Sequence, residues 1–158
     1  HAFFRRQRQM CIRDSMNSTL AKVDAVENGY DDAIMLGDND VVAEGSGQNL
    51  FLIKNGKIYT PPIETGALGG ITRKTVIEIA NNLGLETEET NINADQLKDA
   101  DELFFTGTAT EVVGVVSVDG EDITDGKPGE ITGNIRQKYL EIVNGENEDF
   151  LHYLTLVK

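Results

Sequence analysis

The sequence predicts an α+β fold, with helices against a largely antiparallel curved sheet, on three observations. Asn55-Gly56 stands between the apolar runs "NLFLI" and "KIYT", the strongest short signal for a β-hairpin. "ITRKTVIEIANNLG" sets Val76, Ile77, Ile79, Ala80 and Leu83 on one helical face and stops at Gly84. "GEITGNIRQKYLEIVNG" does the same with Ile131, Ile135, Tyr139 and Ile142. No repeat or low-complexity linker divides the chain, so these elements belong to one domain.

The remaining elements follow in order. "MNSTLAKVDAVENGY" is helical from Met16, with Leu20, Val23 and Val26 on one face and Gly29 as the stop. "DAIML" and "VVAEG" flank the turn "GDND" and read as an antiparallel pair. Pro61 and Pro62 end the hairpin, and "ETGALGG" is a flexible loop before a helix from about Ile71 to Leu83. "LETEETNI" is a short acidic strand, and "NADQLKDA" makes one or two helical turns capped by Asn93 or Asp95. "DELFFTGTATEVVGVVSVDG" reads as two strands broken at Thr106 to Thr110, and the last helix runs from about Glu130 to Val143.

The 158 residues, 39% of them hydrophobic, suffice for one domain with a real core. No apolar run approaches the roughly 18 to 20 residues of a membrane span. A net charge of −13 argues against a nucleic-acid surface, which needs clustered Lys and Arg. Residues 1–15 stand apart, holding Arg5, Arg6, Arg8 and Arg13 against one acid, Asp14. As a targeting leader this segment lacks an initiator Met, an apolar core and a cleavage site. Its "MCIRDS" resembles translated sequencing-adapter read-through, so the segment is read as an artefact, and the domain is taken as residues 16–158. The only cysteine, Cys11, lies there, so no intrachain disulfide forms, which fits a reducing cytoplasm. No zinc spacing, nucleophile elbow or Walker loop occurs, and no metal is expected. His1 lies in the segment set aside, and His152 reads as a packed or solvent-facing imidazole.

Three Gly- or Thr-rich joints interrupt the regular structure, at 44–49, 66–72 and 106–110. Glu44, between Ala43 and Gly45 and ahead of Leu50 to Ile53, is carried toward an interior where an unpaired charge is costly, so it needs a cationic partner. A neighbouring Lys or Arg at a strand edge would serve, as would a ligand. Gly69-Gly70-Ile71-Thr72 opens a helix, and a helix N-terminus with a hydroxyl can cradle phosphate, although the glycines also suit a plain turn and Thr72 an N-cap. "TGTAT" could turn backbone N–H groups toward an anion, or be a β-bulge or strand corner.

"GYDDAIML", "VAEGSGQNLFLIKNGKIYTPP", "TGALGGITRKTVIEIANNLG", "ADELFFTGTATEV", "VDGEDITDGKPGEIT" and "IRQKYLEIVNGENEDFLHYLT" together resemble, in order and spacing, the branched-chain amino-acid aminotransferases, class IV pyridoxal-phosphate enzymes. The resemblance covers residues 16–158, the C-terminal domain of that family, and implies its pseudo-barrel α+β fold, with the N-terminal domain absent. It implies the cofactor pyridoxal 5'-phosphate, and transamination of leucine, isoleucine or valine with 2-oxoglutarate to give branched 2-oxo acids and glutamate. It also implies a homodimer or larger homo-oligomer. Within class IV the rivals are D-amino-acid aminotransferase and aminodeoxychorismate lyase, against which the tail "GKPGEITGNIRQKYLEIVNGENED" favours the branched-chain enzymes. A non-catalytic, cofactor-binding remnant is the alternative from another class.

Position by position, the resemblance gives Glu44 the pyridine nitrogen of the cofactor, Ile71 and Thr72 its phosphate, and Leu68 the face of its ring. Thr108 adds a second hydroxyl to the phosphate, and Thr108 and Ala109 offer their amides to the substrate carboxylate. Gln48 replaces a commoner Glu, and Gly69 sits where Pro is usual. The family's Schiff-base lysine falls at Met10, and Asp14-Ser15 stands where Asn-Tyr is expected, so the chain as written should be inactive alone. Lys22 lies more than a helical turn past Ser18, too far along to substitute.

Overall fold

The computed structural model describes residues 16–37 and 40–155. Helix α1 covers 16–27, followed by strands β1 (Ile34–Leu36), β2 (Val42–Gly45), β3 (Asn49–Lys54) and β4 (Lys57–Thr60). Then come α2 (Ile71–Asn82), β5 (Thr87–Glu89), α3 (Ala94–Lys98), β6 (Glu102–Gly107) and β7 (Glu111–Val115). The short strands β8 (Ser117–Val118) and β9 (Glu121–Asp122) precede α4 (Glu130–Val143).

Asn55 and Gly56 both adopt positive φ, 52° and 75°, the two-residue hairpin turn whose twist matches the flanking strands. This turn fixes the β3–β4 register, with Lys54 opposite Lys57. Five strands form the main sheet in the order β5-β4-β3-β6-β7. It is more mixed than expected, because β5 runs parallel to β4 while the other pairs are antiparallel. The cause is α2, which carries the chain back across one face so that β5 re-enters in the direction of β4. The expected break at Thr106 to Thr110 is a hairpin: β6 and β7 pair down to Gly107 opposite Glu111, and residues 108–110 make the turn. It is therefore neither a bulge nor a corner. The pair β1–β2 forms a separate ladder, as does β8–β9.

The sheet is covered on both faces, which is why "NLFLI" is continuously apolar rather than alternating. On one face Phe51, Ile53, Phe104 and Val112 pack against Val76, Ile79 and Ala80 of α2 and Ile135 and Ile142 of α4. Phe51 and Phe104 are cross-strand partners, their rings stacked at 4.9 Å. On the other, Leu50, Leu52, Leu103 and Phe105 meet Val42, Ile92, Leu97 and Ile123. The stripe expected on α1 lies in solvent instead, with Leu20, Val23 and Val26 all exposed, and Ala25 is the residue that packs inward. Leu83 is likewise exposed, at the end of α2 rather than in its stripe. Asn93 caps α3 through a reciprocal box with Gln96, settling the choice between Asn93 and Asp95. His152 stacks on Phe150 with its ring tilted against Tyr153 and sits 3.6 Å from Glu78, which also accepts the Tyr153 hydroxyl hydrogen bond at 2.6 Å.

Helix α4 begins at Gly129, which has no side chain to cap it. Glu102 of β6 reaches across and does so, accepting from the N–H groups of Ile131 at 3.0 Å and Thr132 at 2.8 Å and from the Thr132 hydroxyl at 2.6 Å. A carboxylate there suits the positive end of the helix. A Cβ at position 129 would lie 1.9 Å from the Glu102 side chain, so only glycine admits it. Glu102→Ala should lower unfolding free energy by about 2 kcal/mol in urea titration, because it leaves buried amides unpaired. Glu121→Ala, at the exposed pair with Lys98, should cost well under half as much.

Candidate functional site

The pairing of β3 with β6 sets Asn49 opposite Thr106, so the loop entering β3 and the turn leaving β6 emerge at the same end of the sheet. Position 107 shows how near they come: a Cβ there would sit 3.6 Å from the Gly47 carbonyl and 3.7 Å from Gln48. Helix α2 starts at this end too, since a Cβ on Gly70 would fall 2.3 Å from the Asn49 amide oxygen. The joints 44–49, 66–72 and 106–110 therefore converge.

Glu44 is half-buried on β2. Its Oε2 accepts from the Leu68 N–H at 2.8 Å and, more loosely, from the Asn49 side chain at 3.3 Å. Asn49 donates to the Leu68 carbonyl as well, at 2.7 Å. The backbone of Leu68 is thus clasped while its side chain stands out in solvent, 70% exposed. Ile71, the first residue of α2, is 78% exposed, whereas Thr72 is buried. Thr72 is not an N-cap: that position belongs to Gly70, with extended φ and ψ, and no side chain caps the helix. Thr108 and Ala109 are exposed at the β6–β7 turn. Position 10 lies outside the described residues.

What this arrangement can do follows from the two large helices compared. Each begins at a glycine, and α4 takes a carboxylate from within the chain. Among the described residues the first turn of α2 has no such capping side chain, so its amides suit an anion from outside. Arg73, 3% exposed one residue beyond Thr72, donates to the Pro61 carbonyl at 3.0 Å and to Glu89 at 2.7 Å. Glu89 pairs with its charge, so the guanidinium ties α2 to β5 and to the Pro61 carbonyl. The exposed apolar side chains of Leu68, Ile71 and Ile63 border the site on the solvent side. One carboxylate and one anion-seeking helix end, with an apolar rim, fit a ligand that is cationic at one side, anionic at another and flat or apolar between.

Asp32, Asn49, Arg73 and Glu102 are functional or supporting residues that sequence reasoning missed. Asn49 carried the clearest signal, a lone amide heading an apolar strand. Asp32 anchors the 44–49 loop to α1, accepting from Lys22 at 2.9 Å, Ser46 at 2.5 Å, Gln48 at 2.9 Å and the Ala33 N–H at 2.8 Å. Burial pushes its carboxyl up, but these four donors prevail and hold it down at about 2, against an ordinary 3.8. A cavity of about 1070 Å³ opens on the far side of this anchor, among Lys22, Asp32, Phe105, Thr110 and Val113. It contains none of Glu44, Leu68, Ile71, Thr72, Thr108 or Ala109, and the convergence of the three joints outweighs its size as a marker of chemistry. Among the described residues there is no cluster of three or more His, Cys, Asp or Glu fit for a metal, and no helix long and apolar enough to cross a membrane.

Comparison with known proteins fits this geometry. The profile of the family described as amino-transferase class IV matches residues 6–118. The branched-chain-amino-acid aminotransferase of Pseudomonas aeruginosa is 44% identical over 143 residues, 90% of this chain and 46% of that protein. A probable branched-chain-amino-acid aminotransferase of Aquifex aeolicus is 45% identical, again over 90% of this chain and 46% of its own length. Among solved structures, the branched-chain aminotransferase from the archaeon Thermoproteus uzoniensis with norvaline superposes with a TM-score of 0.86 at 45% identity, over 89% of this chain and 46% of that one. The branched-chain amino acid aminotransferase of Escherichia coli gives 0.83 at 40% identity, over 85% of this chain and 45% of that one. The chain thus spans about half the length of the curated relatives it matches.

The Asp32 anchor makes a signed prediction. A carboxyl held low in the folded state contributes stability that is fully present above its unfolded value near 3.8 and is lost as pH falls toward 2. Its size is on the order of 2 kcal/mol. In acid titrations followed by circular dichroism, Asp32→Asn should be less stable than the parent at pH 6, and the gap should narrow below pH 4 and close only at about pH 2.

Proposed function

The chain belongs to the class IV aminotransferases, and we propose that the protein it represents transfers amino groups between leucine, isoleucine or valine and 2-oxoglutarate, with pyridoxal 5'-phosphate as resident cofactor. One observation carries the reading: Glu44 and the uncapped α2 N-terminus are held together by Leu68 and Asn49. The residues fit the group. The first turn of α2, uncapped by any side chain, offers its amides to a phosphate, and Glu44 offers a carboxylate to a protonated ring nitrogen. When bound, the cofactor supplies an electron sink for the electrons released at the substrate α-carbon.

In this reading the tasks divide among the residues, and Thr108 has two. Glu44 keeps the ring nitrogen protonated. The amides of Ile71 and Thr72 and the Thr72 hydroxyl hold the phosphate, with the Thr108 hydroxyl as a second donor. Leu68 packs on the ring face, which accounts for an exposed leucine on a clasped backbone. The amides of Thr108 and Ala109 orient the substrate carboxylate. Gly69, lacking the φ restraint of the usual proline, leaves the segment before α2 looser.

Residues 16–158 then form the cofactor-binding domain, and an N-terminal domain of the parent enzyme completes the substrate pocket. We also propose that the parent is a cytoplasmic homodimer or larger homo-oligomer. The lysine that bears the cofactor in the family falls at Met10, a thioether that cannot take that role, so the chain as written should be catalytically silent.

The test restores what is missing: Met10→Lys, Asp14→Asn and Ser15→Tyr, with a family N-terminal domain joined ahead. Leucine-dependent glutamate formation from 2-oxoglutarate should appear in this protein and be absent from the chain as written. Activity on D-alanine alone, or on aminodeoxychorismate alone, would overturn the substrate assignment. Turnover by the unaltered chain would overturn the argument from Met10.

A further inference from the structure

Asn49 is 6% exposed at the head of β3 and lies against Glu44 of β2, Leu68 of the loop before α2 and Gly70 at its N-terminus. Its Nδ2 donates to the Leu68 carbonyl at 2.7 Å and faces Glu44 Oε2 at 3.3 Å. The same Glu44 oxygen receives the Leu68 N–H at 2.8 Å. Residue 68 is thereby gripped at both its backbone groups, one by the acid and one by the amide. The other side of the amide lies against Gly70, where a Cβ would come within 2.3 Å of Oδ1. Opposite Asn49 on β6 is Thr106, which leads into the turn carrying Thr108 and Ala109.

We infer that Asn49 is a positioning residue that fixes the distance between the acid Glu44 and the α2 N-terminus, so that one ligand must satisfy both. The chemistry of the side chain supports this. The Leu68 carbonyl can only accept, so the NH₂ group must face it, which leaves the carbonyl oxygen toward Gly70. An aspartate would set two acceptors against each other at Leu68 and a second negative charge beside Glu44. A leucine would leave the Leu68 carbonyl with the Gly70 N–H alone, at 2.8 Å, and would set an apolar group against Glu44. Only an amide of this length donates to both groups while leaving room for a glycine-capped helix. The same contact explains why Gly70 carries no side chain: a methyl there would enter the space of the amide and push the helix end away from Glu44. This inference rests on the cofactor reading above, since it assigns Glu44 to the ring nitrogen and α2 to the phosphate.

The experiment uses the full 158-residue chain and pyridoxamine 5'-phosphate labelled with ¹⁵N in the ring, a ligand that needs no lysine. Dissociation constants and the ring-nitrogen chemical shift are measured for the unaltered chain, Glu44→Gln, Asn49→Ala and Gly70→Ala. The unaltered chain should show a protonated ring nitrogen. Asn49→Ala should bind about tenfold more weakly, the loss expected for a hydrogen bond in a charged site. Its ring signal should move toward that of Glu44→Gln, and Gly70→Ala should move it the same way. If Asn49→Ala does not fold, Asn49→Ser, which keeps a donor but cannot span both partners, replaces it in the comparison. Weaker binding with an unmoved ring signal would mean that Asn49 only supports the fold, and would overturn the inference. An unchanged affinity would do so as well. Failure of the unaltered chain to bind the ligand would overturn the cofactor reading itself, and this inference with it.

Discussion

The antiparallel pairing of β3 with β6 is the constraint on which the rest depends. Both strands are buried on two faces, and their register puts Phe51 against Phe104 and Asn49 opposite Thr106. The side-chain period of a strand is two, so a slip of one residue would turn Asn49 to the other face and bring Leu50 to the start of α2. At the opposite end of β6 the same register presents Glu102 to α4. One ladder thus fixes the polar groups at both ends of the domain, and its stacked aromatic pair makes slippage expensive.

Electrostatically, the chain treats its two large helices in opposite ways. Helix α4 receives an internal carboxylate and is closed, whereas α2 is left without a cap. In a chain of net charge −13, an anion must be drawn to a local field rather than to the surface as a whole. The open amides at the α2 N-terminus supply that field over a few ångströms without altering the acidic exterior. Position 48 shows a related economy: Gln48 donates to Asp32, so a neutral amide holds the loop to α1 where a carboxylate would repel.

Much of the fold was legible in the sequence because local chemistry decided it. Asn55-Gly56 demands a two-residue hairpin, and the stripe of α4 predicts its bounds at Glu130 and Val143. The parallel β4–β5 pair was not legible, since a three-residue acidic strand has no periodicity to declare its direction. The exposed face of α1 misled for the opposite reason: its spacing is a true helical stripe, but nothing within the described residues covers it. Within the site, Glu44, the helix start at Ile71 and Thr72 and the joint holding Thr108 and Ala109 were marked by residue chemistry, Leu68 and the individual roles came from a resemblance to a family, and Gly70 proved to be the cap in place of Thr72. Asn49 escaped because its importance lies in contacts with residues 44, 68 and 70, which only the folded chain assembles.

The order of strands in the sheet has a consequence in time as well as in space. The β3–β4 hairpin closes over two residues and can form early, on local contacts alone. The β3–β6 ladder cannot, because β4, α2, β5 and α3 all intervene and their closure entropy must be met before the pairing rewards it. Since Asn49 belongs to one of these strands and Thr106 to the other, the convergence of the three joints exists only while the β3–β6 ladder is in place. A ligand that engages the whole site therefore recognises only the completed sheet, and its binding energy is added in full to the stability of that state rather than shared with partly formed ones.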